Sequence, residues 1–242
     1  MGSTYLDLTN RLLRRLNEVQ LTEADFASAR NIQATAKDCI QDSIRDINMF
    51  RSRWPFNAYE YTFDLVAGTE EYVWPLNFHS ADWNSFQIQK DETLGNESKT
   101  LIYISRDQWY ERLKDRDYDS HPDGLRIPIY VYQAHGNGFG ISPSPDKAYE
   151  LKFRYFVEPV ELDAFDDTTT IPTKYDHVIV SGALYWMNSF KGDAEASQLQ
   201  ESKFKDLLKQ MANQLIMAND KVYDSRVNFG GGNRSSWIWT GN

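Results

Sequence analysis

The residues of this chain whose types could do chemistry are four histidines, one cysteine and a run of three alternating aspartates. His79, His121, His135 and His177 lie outside helical or hairpin spacing of one another, so no His-Glu-x-x-His pattern places two imidazoles on one metal. Cys39 stands alone, which excludes an intramolecular disulfide and a cysteine-based metal site. Asp115-x-Asp117-x-Asp119 starts like a calcium loop. Its sixth position is Ser120 where the sharp turn wants Gly, and its twelfth is Arg126 where a bidentate Glu should close the site. A solvated acidic turn is the better reading. His135-Gly136-Asn137-Gly138-Phe139-Gly140 is glycine-rich, but it sits between two strand-like runs and lacks the Lys-Ser/Thr ending and following helix of a phosphate loop. It reads as a hairpin turn. There is no Gly-x-Ser-x-Gly elbow for an esterase-type nucleophile, and no spacing singles out a carboxylate pair for glycoside hydrolysis. The sequence therefore predicts no catalysis, no cofactor and no metal site.

Charge narrows the partners. The 242 residues carry 26 Lys and Arg against 35 Asp and Glu, a net charge of −9. Sequence-independent grip on nucleic acid needs clustered cations that displace counterions, which this balance disfavours. An acidic wall repels phosphate instead and lets DNA pass without sticking. Aromatic residues make up 14% of the chain, enough bulk for a core and enough contact area for interfaces. The first ten residues lack the basic-then-apolar order of a secretory signal, and no apolar run reaches the ~20 residues that span a bilayer. The expected setting is a reducing cytoplasm, with no membrane partner.

Two kinds of element must position these residues. Leu8, Leu12, Leu16 and Val19 form one stripe of a helix over about 4–17, with Arg11, Arg14 and Arg15 facing elsewhere. Thr22, with Asp25 three residues on, starts a second and long helix. Its Phe26, Ala29, Ala36, Ile40, Ile47, Phe50 and Trp54 recur at helical spacing until Pro55 ends it. The middle is a series of short β-branched and aromatic runs, 59–65, 71–74, 86–89, 99–104, 127–134, 139–142 and 149–157, separated by Gly, Asn and Pro turns. Leu151, Phe153, Tyr155 and Val157 alternate with Lys152, Arg154 and Phe156, as a half-buried strand does. A short helix over 106–116, capped by Ser105, interrupts the strands.

Helices resume after Pro172, with Thr173 as N-cap and Asp176 at the third position. Tyr175, Ile179, Gly182, Trp186 and Phe190 share a face. Gly192 ends that helix in a left-handed conformation and Asp193 caps the next. There Phe204, Leu208, Met211, Leu215, Ala218 and Val222 step by fours and threes, a heptad-like seam read first as packing within the chain. Beyond it Phe229-Gly230-Gly231-Gly232-Asn233 is a hinge, followed by Trp237-Ile238-Trp239. Three apolar residues on a tail too short to bury itself suit a partner surface; the alternative is that the tail folds back on its own domain. Phe229, Arg234, Trp237, Ile238 and Trp239 are the residues expected to meet a partner. The fold class expected is α+β: a helical bundle of N- and C-terminal helices, an inserted antiparallel β-rich region and an extended C-terminal arm. The corresponding divisions are 1–56, 57–165, 166–224 and 225–242.

One succession of residues resembles a known family. Phe139-Gly140-Ile141-Ser142-Pro143-Ser144-Pro145-Asp146 leads to Tyr149-Glu150-Leu151-Lys152-Phe153-Arg154-Tyr155. Pro159-Val160-Glu161-Leu162, Ile171-Pro172-Thr173-Lys174-Tyr175-Asp176 and Gly182-Ala183-Leu184-Tyr185 continue it. Ala29-Arg30-Asn31-Ile32 and Arg53-Trp54-Pro55-Phe56 fit the same pattern at the front. The chain resembles the head-to-tail adaptors of tailed bacteriophages (head-completion, or tail tubular A-like, proteins) over most of residues 4–222, with about 66–130 unmatched. The resemblance implies a virion structural protein that forms a ring of about twelve copies docked beneath the portal protein. It implies a downstream tail or nozzle protein as second partner, and genomic DNA passing through the channel without specific binding. It places the protein in the virion neck, assembled in the host cytoplasm, with a C-terminal arm reaching a neighbour or the portal. The alternative is another tail component whose β-domain contacts carbohydrate or a receptor, because aromatic rings stack on sugars.

Overall fold

The computed structural model describes residues 2–90, 97–112 and 125–215. Helix α1 (Tyr5–Arg15) begins where the Thr4 hydroxyl accepts a hydrogen bond from the Asp7 amide. It ends ahead of Asn17, whose φ of 59° takes the chain into the left-handed region. Val19, expected on the helical stripe, therefore lies past the helix and is exposed. Thr22 caps α2 (Glu23–Phe26) through the Asp25 amide. Helix α3 (Ile32–Phe50) is separate from it, so the single helix expected from Thr22 to Pro55 is broken. Asn31 adopts φ 51° and ψ −126°, where the helical ladder cannot continue; apolar spacing reports which face is buried, not whether every backbone bond is made. At the other end Arg51 is already extended, and Trp54 returns to the core four residues after the helix has stopped.

Six short strands follow: β1 (Ala58–Leu65), β2 (Glu71–Val73), β3 (Phe78–Ala81), β4 (Gln87–Ile88), β5 (Lys99–Thr100) and β6 (Ile102–Tyr103). Helix α4 (Arg106–Arg112) comes next, its Ser105 hydroxyl accepting from the Gln108 amide. The chain continues through β7 (Tyr130–Gln133), β8 (Gly138–Ser142), β9 (Tyr149–Val157), α5 (Asp176–Phe190) and α6 (Ala194–Leu215). The architecture is α+β. Two compact units divide the described residues, one taking those up to Phe56 and from Pro159, the other Asn57–Glu158.

In the first unit Leu8, Leu12 and Leu13 of α1, Ala36, Ile40 and Ile47 of α3, Val178, Ile179 and Ala183 of α5, and Phe204, Leu208 and Met211 of α6 share one core. Each buried Leu or Ile contributes about 1.5–3 kcal/mol relative to exposure. Helix α5 is the centre: α3 and α6 both pack along it. The seam on α6 thus faces its own chain; Ala218 and Val222 lie outside the described residues. Gly192 ends α5 with φ 75°, and the Asp193 carboxylate caps α6 through the Ala196 amide. Fully buried Trp54 donates its indole N–H to the Ile47 carbonyl at 2.8 Å and stacks on Phe56. Phe190 departs from expectation: it is 71% exposed, because the apolar face of α5 is covered only as far as Met187.

The second unit is built on β9. β1 runs antiparallel along one edge of it, from Ala58 opposite Phe156 to Leu65 opposite Tyr149. β3 and β4 share its other edge, and β5 extends the sheet from β4. A second sheet has the order β2-β8-β7-β6, with β6 and β7 parallel. Trp74, Phe86, Phe139 and Phe153 interlock at its core, Phe86 and Phe153 stacked with ring centroids 4.6 Å apart. The alternation along β9 holds from Tyr149 to Tyr155 but not at Phe156, which is buried as well.

Candidate functional site

Asp176 is the one buried carboxylate among the described residues. It opens α5 at 2% exposure, and its Oδ2 accepts from the Ser3 hydroxyl and from Arg11 Nη1, each at 2.6 Å. Its Oδ1 has no hydrogen-bond partner among the described residues. The capping box expected at Thr173 is not formed: Thr173–Tyr175 make a single 3-10 turn with no side-chain cap, and Asp176 bonds to the chain around α1 instead. The physical reason is burial. A cap contributes about 1 kcal/mol, whereas a buried carboxylate without partners costs more than that, so it takes the charge-assisted bonds on offer.

Arg11 is half exposed around this bond, its side chain 44% accessible. At 100° per residue, Arg11, Arg14 and Arg15 fall within an arc of about 100° on α1, opposite the buried Leu12–Leu13 side. With Asp176, His177 and Val180 they line a cavity of about 300 Å³. Arg14 and Arg15 are exposed and have no carboxylate partner among the described residues. Three guanidinium groups on one ridge can hold a carboxylate or phosphate. The guanidinium groups supply charge and N–H donors, which is the chemistry of recognition. Sequence reasoning missed the site; the signal it offered was three arginines within five residues on the polar side of an amphipathic helix in an acidic chain.

The residues singled out for chemistry do not converge. His177 is on the rim of the arginine cavity, His79 is exposed on β3, and His135 lies in the β7–β8 turn with its Nε2 3.4 Å from the Tyr110 hydroxyl. His121 and Asp115–Asp119 lie outside the described residues. Among the described residues no group of three or more His, Cys, Asp or Glu could hold a metal. The glycine-rich run makes the hairpin expected of it: Gly136 has φ 74° in the turn. Gly140 is required for packing, because a Cβ there would collide with the ring of Tyr132, which stacks on Trp109 and donates to Glu70 at 2.8 Å. Cys39 is buried, and burial, with Asp42 and Asp38 nearby, pushes its thiol up to about 12.

Phe229, Arg234, Trp237, Ile238 and Trp239 lie outside the described residues. The helical unit nevertheless carries exposed apolar residues at its helix ends, of which Phe50 and Phe190 were expected on the apolar faces. Helices α3 and α5 run in the same direction, joined by Ser43 Oγ donating to the Ile179 carbonyl (2.7 Å) and Trp186 Nε1 donating to Asp46 Oδ2 (2.8 Å). Four residues beyond the second bond the helices end on Phe50 and Phe190, with Met49 beside them, at 40%, 71% and 77% exposure. In the second unit most of the aromatic bulk is spent on the core, leaving Tyr59, Tyr61, Tyr103 and Tyr110 exposed. The family model described as SU10 adaptor protein matches residues 3–230. No curated protein matches the chain.

Proposed function

The chain belongs to the SU10 adaptor protein family, a family of phage head-to-tail adaptors, and from that premise we propose that it forms a ring beneath the portal and joins the portal to the tail. Membership makes it a structural protein of the virion neck, associated with portal and tail proteins, and not an enzyme. The observation that carries the reading is the extent of the match, which takes in both compact units rather than one.

In this reading the unit of residues 1–56 and 159 onward makes up the ring wall, about twelve copies closing head to tail. Residues 57–158 are the insertion that faces a partner, and 225–242 are the arm. The net charge of −9 keeps the channel non-adhesive, so that genomic DNA passes without specific binding. Phe229, Arg234, Trp237, Ile238 and Trp239 dock on the portal or a neighbouring copy, their ordering cost offset by repetition around the ring. Assembly takes place in the host cytoplasm; no helix among the described residues is long and apolar enough to cross a membrane.

The test is to mix the protein with its cognate portal and image the product by electron microscopy. A symmetric ring added to the portal is the expected result, and portals that stay bare refute the reading. Deleting residues 229–242 should abolish recruitment while leaving the melting temperature unchanged. Undiminished recruitment would remove the arm from the account.

A further inference from the structure

The helical unit is charged unevenly, and the two extremes are complementary. One is the ridge of Arg11, Arg14 and Arg15 beside the Asp176 cavity. The other surrounds the opposite flank of α1. There the Tyr5 amide donates to the Asp167 carbonyl and the Leu6 amide to the Phe165 carbonyl, which lays the segment after Pro159 against the start of the helix. Leu6 and Arg11 are five residues apart, roughly 140° around the axis. The same segment runs along α3, where Arg45 Nη2 donates to Glu161 Oε1 at 2.6 Å and Gln41 donates to the Leu162 carbonyl. Asp38, Asp42, Glu161 and Asp163 thereby gather around Tyr5, and after burial they are what raises its hydroxyl further above the ordinary value. Asp38, Glu161, Asp163 and Asp166 are exposed. Arg45 offsets part of this charge, bonding Glu161 and Asp42. Asp38 and Asp163 have no cationic partner among the described residues, just as Arg14 and Arg15 have no carboxylate.

We propose that the arginine ridge of α1 docks on the carboxylate cluster of Asp38, Asp42, Glu161 and Asp163 in a second copy of this chain. The inference rests on the ring reading and says which surfaces close the ring. A contact between two different patches of the same molecule is heterologous, and repeated through a rotation it generates a ring rather than a dimer. Arginine suits the role because each guanidinium can engage a carboxylate with two parallel N–H donors. The buried Asp176 fixes the Arg11 stem from behind, so that this part of the ridge is presented with little further loss of side-chain freedom. DNA phosphate is the competing ligand for three arginines. The second copy is favoured because the complementary surface is present on the same unit, with Asp38 and Asp163 lacking a cationic partner among the described residues, whereas the molecule as a whole repels polyanions.

The experiment uses the full chain with its portal. Arg14→Cys combined with Asp163→Cys, oxidised after ring assembly, should give a ladder of disulfide-linked multimers, while each single variant gives none beyond background; native Cys39 is buried and does not contribute. Arg14→Glu with Arg15→Glu should reduce ring yield at least tenfold. Adding Asp38→Lys and Asp163→Lys to that pair should restore it, which a folding defect would not permit. Absence of rings with the wild-type chain overturns the ring reading and this contact with it. Rings that form without a ladder, or that tolerate the arginine reversal, overturn the contact alone. If rings persist while the reversal abolishes binding to duplex DNA at low salt, the ridge reads phosphate and the proposal is wrong.

Discussion

Gly182→Ala is the sharpest test of how the helical unit is packed. Gly182 lies in the middle of α5 at the level where α3 and α6 both press on it. A Cβ built there would fall inside the Ser43 hydroxyl and 2.8 Å from two carbons of the Phe204 ring. Ser43 is fully buried, with its hydroxyl committed to the Ile179 carbonyl. Three effects compete. Alanine in place of glycine gains about 1 kcal/mol in helix propensity. Forcing a methyl into a filled core costs roughly 1–3 kcal/mol, and displacing the Ser43 hydroxyl loses a buried hydrogen bond of about 1 kcal/mol. Packing wins, and the net loss is about 2 kcal/mol. For a chain of this size that lowers the melting temperature by about 4–8 °C, readable by differential scanning calorimetry or chemical denaturation. Ser43→Ala should partly rescue it: the double variant should be more stable than the sum of the single effects by about 1 kcal/mol, since the two sites share one space. A Gly182→Ala protein as stable as the wild type, or more so, would refute the close approach of the three helices.

Asp46 supplies a pH test. Burial raises its carboxyl above the usual range, and Asp42 adds to this, while the Trp186 indole N–H works against it. A folded-state pKa above the unfolded value means that the folded protein holds the proton more tightly. Its contribution to stability is present at low pH and is lost as pH rises through the folded value. Asp46→Asn keeps an acceptor for Trp186 and removes the partly buried charge, so it should raise the melting temperature at pH 7, by an amount that shrinks toward pH 3; a gain that grows on acidification would contradict the assignment. Cys39, with its thiol pushed up to about 12, should resist a disulfide-exchange reagent at pH 8 in the native protein and react fully in denaturant; rapid native labelling would show that the core opens. Asn31→Gly should stabilise the chain by about 1 kcal/mol, because φ 51° with ψ −126° strains any residue bearing a Cβ. A loss measured in urea would mean that the Asn side chain holds that turn.

Much of the element structure was legible in the residues. β9 was bounded correctly from Tyr149 to Val157, because its alternation is strong and turn residues precede it. The caps at Thr22, Gly192 and Asp193 also follow from local chemistry, since each bond spans only a few residues. The break at Asn31 was not legible, because the apolar spacing continues across it while the backbone does not. β3 was missed for the opposite reason: Phe78–Ala81 is too short to show a period, and it exists because the edge of β9 is free to pair with it.

The sequence by itself determined the α+β class, the absence of a metal or nucleophile motif, the hairpin at Gly136 and the direction of the net charge. All of these depend on residue types or on contacts over a few positions. Tertiary structure alone decided the roles of Asp176 and Gly182. One is joined to Ser3 across 173 residues of sequence, and the other needs its missing side chain only because Ser43 and Phe204 arrive from two other helices. The same holds for the arginine ridge and the carboxylates around Tyr5. Charge can be counted along a chain, but which charges share a surface depends on how the helices that carry them are packed.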